Sequence, residues 1–217
     1  MTGGAEMARE DWRDEPIHGR SVVLRRHRPE NLTAFLRWYG DPEIARLTRY
    51  HVEPMSPDEI RRYFETRVLS SETLSGAIHL AAGDRLIGTT TFSQLDGSNG
   101  SVMYHITIGE RDAWGRGYGT EATELMLRLA FERLGLHRVG LSVFEFNERA
   151  IRSYDKAGFR VDGRLRDAIW RDGRYWDEII MSVLENEWRE RAPGRGRGAP
   201  ASLRAATPSG ARAARGA

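Results

Sequence analysis

The sequence has no cysteine in 217 residues, which removes disulfides, thiolate metal sites and a cysteine nucleophile at once. Its six histidines are scattered with no pair at helical spacing, so no metal site can be read from them. Long apolar runs are absent as well. Nothing approaches the roughly 20 residues needed to cross a bilayer, and Met1 to Glu15 is polar and acid-rich, unlike a secretory leader. These absences lead us to expect a cytoplasmic protein with no membrane partner and no metal. Lysine is almost missing: of 33 basic residues only Lys156 is a lysine, which reads as a coding bias and makes that one position worth locating.

What is present is enough for one core. A chain with 40% hydrophobic residues at this length fits a single domain. The net charge of +2 hides a division, because residues 192–217 carry five arginines (Arg195, Arg197, Arg204, Arg212, Arg215) and no acid, leaving residues 1–191 at −3. That segment is built of Gly, Ala, Pro, Ser, Thr and Arg with a single Leu, too little apolar surface to offset the entropy of ordering. We therefore expect a flexible N-terminal extension over 1–16, a folded domain over 17–191 and a disordered tail over 192–217. A basic tail can attract nucleic acid, but this one has no aromatic residue for stacking. The acidic balance of the rest and the lack of a reader motif also count against nucleic acid as a partner.

Periodicity then orders the domain. Ser21 to Arg26 reads as a strand, and Pro29 with Glu30 opens an amphipathic helix carrying Leu32, Phe35, Leu36 and Tyr39. A second helix starts at Pro57 behind Ser56 as N-cap, and Leu47 to Met55 is expected to be an irregular loop. Ala77 to Ala82 and Arg85 to Phe92 form a hairpin about Gly83-Asp84. In the next strand Val102, Tyr104, Ile106 and Ile108 alternate with Met103, His105 and Thr107, giving two unlike faces. A glycine-rich loop, Trp114 to Gly119, leads into a helix from Thr120 to Leu134. A strand at Arg138 to Phe144 follows, then a helix from Asn147 to Ala157 ended by Gly158, then a closing hairpin, Val161 to Ile169 and Tyr175 to Leu184. This order is mixed α/β, a small twisted sheet with helices on both faces.

Closely spaced glycines before a helix turn backbone N–H groups outward, with the positive end of the helix dipole behind them, and such a loop suits a diphosphate. The same glycines could form a mere tight turn. There is no lysine of a Walker loop, and the spacing is not the dinucleotide fingerprint.

Three motifs in order make the loop more specific. Trp114-Gly115-Arg116-Gly117-Tyr118-Gly119-Thr120 resembles the pyrophosphate loop of the GNAT superfamily of N-acetyltransferases. Asn147 to Phe159, with Ala150, Tyr154 and Gly158 in place, resembles the motif that follows it. Asp172 to Asp177 with Met181 resembles the last hairpin of the branch that holds ribosomal-protein alanine and spermidine acetyltransferases. The resemblance runs from about Ser21 to Trp188. It implies a single GNAT-type domain with a mostly antiparallel sheet of six to seven strands, splayed at its centre. It also implies acetyl-CoA as cosubstrate and a primary amine as acceptor: a peptide N-terminus, a polyamine or an aminoglycoside-like molecule. A silent module that binds acyl-CoA as a sensor is the alternative, and a homodimer is left open.

Acetyl transfer needs a bound thioester, a neutral amine, a donor for the oxyanion and a proton for the departing thiolate. The resemblance lays pantetheine in the splay, with a backbone N–H near Thr107 or Ile108 toward the thioester carbonyl. Gly115, Gly117, Gly119, Thr120 and the Arg116 side chain would cradle the phosphates, with Tyr118 in the same loop. Trp114 stands where the family usually has Gln or Arg and is better read as a plug beneath the loop. Tyr154 is the candidate acid, its alternative being a core tyrosine on the face of Ala150 and Ile151. Asn147 is a helix cap with an amide left for pantetheine, and Lys156 is a point charge for a phosphate or a solvated lysine. For the base, His105 has the suitable ordinary pKa, with Glu110 acting through water as the other candidate. Glu53, Asp58, Glu59, Asp172 and Asp177 are the acids that could draw a cationic acceptor.

Overall fold

The structure, a computed structural model, describes residues 15–51, 53–70 and 73–191. The terminal segments expected to be flexible, including the arginine-bearing tail, lie outside the described residues apart from Glu15 and Pro16.

One eight-stranded sheet organises the chain, in the order β1 (Ile17–His18), β2 (Val22–Arg26), β3 (Leu74–Leu80), β4 (Leu86–Asp96), β5 (Ser101–Ile108), β6 (Arg138–Phe144), β8 (Arg174–Leu184) and β7 (Arg160–Arg171). Every pairing is antiparallel except β5 with β6. The count exceeds the expected six to seven because β1 has two residues, too few to show a period of two.

Among the described residues six α-helices complete the order: α1 (Leu32–Tyr39), α2 (Pro42–Thr48), α3 (Pro57–Tyr63), α4 (Tyr118–Arg128), α5 (Glu148–Ala157) and α6 (Glu185–Arg191). Both α3 and α4 run on into a π-helical turn, Phe64–Val68 and Leu129–Arg133. Ser56 caps α3 as expected, and Glu59 returns the bond to complete a capping box. The segment between α1 and α3 is less irregular than periodicity suggests. Helix α2 occupies it, and the expected loop from Leu47 begins inside its last turn. Its start was legible, since Asp41 accepts from the Glu43 and Ile44 N–H groups and Pro42 sits at the first position. At seven residues it is too short for a hydrophobic stripe to reveal.

Alternation along the strands divides the apolar residues between two clusters. Val22, Leu24, Val102 and Tyr104 join α4 and α5 in the larger one, with Ile106 and Ile108 packed against it. Just past β2, His27 goes the other way and meets Phe35 of α1 and Phe64 edge-on at 5.2 and 6.3 Å, in the cluster built from α1, Ile44 and α3. The last hairpin turns through Asp172-Gly173 (φ 54° and 78°) between the paired Arg171 and Arg174, as a two-residue turn requires. Gly83-Asp84 (76° and 52°) instead sits in a longer connection, and the two-residue turn expected there is corrected: Leu80 N–H donates to the Arg85 carbonyl and Ala81 N–H turns to Ser21.

Candidate active site

The site originates in a failure of pairing. Strands β5 and β6 are in register only over Ser101–Arg138, Val102–Val139 and Met103–Gly140, after which β4 still holds β5 as far as Ile108 and β8 holds β6 as far as Phe144. Past Met103 the two central strands diverge, so their facing backbone edges have no strand partner among the described residues. The opening is a cavity of about 830 Å³ bounded by β5, β6, the glycine loop and α5. An extended ligand can use such edges as an added strand would.

At one end stands the loop. Gly115 and Gly117 have φ of 73° and 85°, a region in which side chains are strained, and Gly117 is the N-cap of α4 with nothing within 4 Å of where a Cβ would be. Gly115, Gly117, Gly119 and Thr120 line the cavity, whereas Arg116 is exposed outside it beside Asp112, and Tyr118 packs on the larger apolar cluster. Glu121 accepts from the Ser21 N–H at 2.8 Å, which ties α4 to the start of β2. Trp114 packs against the cluster of α1 and α3, and its indole N–H donates to the Ile108 carbonyl at 2.6 Å. The Arg149 guanidinium lies 3.7 Å from the centre of its ring. Trp114 is thus a plug beneath the loop, and it also carries a cation at the mouth of the cavity.

Helix α5 brings Asn147, Arg149, Arg152, Ser153, Tyr154 and Lys156 to the same cavity. Asn147 caps the helix through Ala150 N–H at 3.3 Å and donates one amide hydrogen to the Leu47 carbonyl, also at 3.3 Å. The cap therefore ties α5 to α2, leaving one amide hydrogen for a ligand. Burial holds the Arg149 guanidinium below its ordinary pKa. Lys156 is exposed, and its ammonium has no partner among the described residues. Arg149, Arg152 and Ser153 were not singled out from the sequence, although the spacing of the two arginines at the start of a helix was a usable signal.

Tyr154 is 8% exposed, with its ring 5.7 Å from that of Phe159. Its hydroxyl has no hydrogen-bond partner among the described residues and is not among the sealed, unpartnered atoms, so it opens on the cavity. Burial, with Tyr104 nearby, pushes its pKa well above 10, so it stays protonated. Thr107, Ile108 and His105 line the opposite wall. His105 Nε2 lies 2.7 Å from Ser93 Oγ, and desolvation lowers its pKa, which favours the neutral ring. Glu110 does not line the cavity: it accepts from Arg37 Nη2 at 2.7 Å and Trp38 Nε1 at 2.9 Å.

None of the five acids singled out for a cationic acceptor lines the cavity. Asp58, Asp172 and Asp177 pair with Arg61, Arg46 and Arg164, and Glu59 is spent in the capping box. The acid that does reach it is Glu178 on β8, which accepts from the Tyr50 hydroxyl. Arg171, 2% exposed on β7, donates from Nη2 to the carbonyls of Arg49 and Tyr50 at 2.6 and 3.3 Å and so fixes the segment that carries Tyr50. No local pattern marked Glu178, because a strand residue becomes a cavity wall only when its neighbours diverge.

A mixed sheet opened between two central strands, with a glycine-rich loop and the start of α4 at one end of the gap, is the class of fold this chain presents. Comparison with known proteins agrees. The sequence matches the family described as "Acetyltransferase (GNAT) domain" over residues 21–160, and the chain belongs to that family. The SPbeta prophage-derived uncharacterized N-acetyltransferase YokL of Bacillus subtilis is 28% identical over 170 residues, 78% of this chain and 93% of that one. The spermidine N(1)-acetyltransferase of Escherichia coli K12 is 33% identical over 82 residues, 37% of this chain and 44% of that one. Among solved structures, the spermidine N-acetyltransferase from Vibrio cholerae in complex with CoA and spermine superposes with a TM-score of 0.70 at 22% identity, covering 78% of this chain and 99% of that one. A GNAT-family acetyltransferase from Bacillus anthracis gives 0.69 at 18%, covering 79% and 99%. These two likenesses establish the fold. Among the described residues no group of His, Asp and Glu is placed to hold a metal, and no helix is long and apolar enough to cross a membrane.

Proposed function

We propose that this chain transfers an acetyl group from acetyl-CoA to a primary amine by direct attack within a ternary complex. The observation that carries the proposal is the opening between β5 and β6, which runs into the glycine loop at the start of α4 and is flanked by Arg149, Arg152 and Lys156. The backbone N–H groups of Gly115 to Thr120 and those three cations suit the phosphates, and the free edge of β5 suits the amides of pantetheine.

The residues then divide the chemistry. A backbone N–H near Thr107 or Ile108 polarises the thioester carbonyl. As the amine nitrogen bonds to that carbon and the C–S bond breaks, His105 accepts the proton the amine loses and Tyr154 gives its own to the departing thiolate, so that the products are an amide and free CoA thiol. Burial holds the Tyr154 pKa well above the ordinary value near 10, which keeps the phenol protonated until the thiolate departs but widens the gap of about 1.5 units between an ordinary phenol and a thiol.

Acetyl-CoA at saturation should raise the melting temperature of the wild type, because it binds the folded state alone. Gly117→Glu, which adds a carboxylate at the proposed diphosphate site, should abolish that rise. A panel of primary amines assayed for free thiol completes the test: no rise and no turnover would reject the proposal.

A further inference from the structure

One charge in the cavity has no part in the roles above. Glu178 is 4% exposed, yet among the described residues no Arg, Lys or His pairs with it. A carboxylate withdrawn from water is costly unless a counter-charge meets it. One of its oxygens accepts from the Tyr50 hydroxyl. The other has no partner and is not sealed from the cavity that Glu178 lines.

The surroundings are those of a cation site. Phe144 stands directly opposite Glu178 in the β6–β8 register, so both side chains leave the same face of the sheet. The Tyr50 ring meets Phe144 edge-on at 5.3 Å, and Arg171 holds the Tyr50 backbone in place. Aromatic rings beside a carboxylate favour an ammonium, which each of them attracts.

The remaining charges on the wall set a limit on that cation. Glu178 is the sole carboxylate among the described lining residues, against Arg49, Arg149, Arg152 and Lys156. The last three lie on α5, where Arg152 pairs with Glu148 and all three are the cations assigned above to the CoA phosphates. The cation left on the wall is therefore Arg49, next to Tyr50 itself and with no ion-pair partner among the described residues. A molecule with several ammonium groups would satisfy one at Glu178 and bring another toward the like charge of Arg49.

We propose that Glu178, with the Tyr50 and Phe144 rings beside it, anchors the ammonium of the acceptor, and that this makes the enzyme selective for primary amines bearing a single positive charge over polyamines. The proposal rests on the acetyl-transfer reading for the fate of the anchored amine, which becomes the nucleophile once it has lost a proton.

The test titrates the full chain, saturated with CoA, with 2-phenylethylamine, 2-phenylethanol and spermidine in a calorimeter. In the wild type the amine should bind at least about tenfold tighter than the alcohol, as expected for one charge-assisted contact, and spermidine no tighter than the monoamine. Glu178→Gln keeps the shape and an acceptor for Tyr50; it should erase the difference between amine and alcohol while CoA affinity and melting temperature hold. Equal binding of amine and alcohol by the wild type would overturn the proposal without recourse to any variant. So would undiminished amine binding by Glu178→Gln, or a clear preference for spermidine. Turnover is read separately. A wild type that binds amines through Glu178 but acetylates none would reject acetyl transfer and leave the amine site standing.

Discussion

Replacing Tyr154 by phenylalanine removes one oxygen from the wall of the cavity and little else. The ring stays 5.7 Å from Phe159, and the lost hydroxyl has no hydrogen-bond partner among the described residues. Folding stability should therefore change by less than about 0.5 kcal/mol, whereas a core tyrosine with a satisfied hydroxyl would lose about 1 kcal/mol. If the hydroxyl protonates the leaving thiolate, turnover should fall about 100-fold, an added barrier of about 2.7 kcal/mol. An acetyl thioester of a more acidic thiol needs that proton less, so the variant should recover part of its deficit with such a donor. Because burial pushes the phenol pKa well above 10, Tyr154 should contribute no alkaline limb to the rate profile below about pH 10. The assay pairs free-thiol detection with thermal unfolding on one preparation. Near-normal turnover would refute the reasoning, as would a large loss of stability that accounts for the loss of rate.

Two further expectations concern the scaffold. Burial lowers the pKa of His27 from 6.5 to about 4, so the unfolded chain protonates first, and stability that is full above pH 6.5 should be lost as the pH falls toward 4, by about 3 kcal/mol. Urea unfolding at several pH values should show a shallower decline for His27→Gln than for the wild type, and parallel curves would reject this. A Cβ at Gly109 would lie 2.1 Å from the buried Trp38 ring, so Gly109→Ala should cost about 2 kcal/mol by overpacking. An unchanged melting temperature would show that the ring can yield.

Much of the site was legible where local chemistry and position coincide. The loop from Trp114 to Thr120 and the helix from Asn147 to Gly158 announce themselves through glycines needing positive φ, a capping asparagine and a terminating glycine. The plug role of Trp114 followed from an aromatic residue standing where a polar one was expected, and its bond to the Ile108 carbonyl is consistent with that. Less legible were residues whose meaning is set from a distance. The pair formed by Tyr50 and Glu178 spans 128 positions. Of the acids singled out for a cationic acceptor, Asp58, Asp172 and Asp177 are taken up by arginines and Glu59 by a cap, and Glu53 does not line the cavity.

The sequence by itself determined the family, the mixed α/β order and the loop at Trp114 to Thr120, because periodicity, capping and glycine placement are local properties written in consecutive residues. Tertiary structure alone decided where β5 and β6 part company, since strand pairing depends on partners 37 residues away, from Ser101 to Arg138, and no local pattern states where it stops. It also decided which of many acids lines the cavity with no basic partner among the described residues. A carboxylate on a strand is solvated or pair-bonded by default, and Glu178 becomes a candidate binding group because the divergence of its neighbours leaves it facing the cavity, largely buried and without a cation among the described residues.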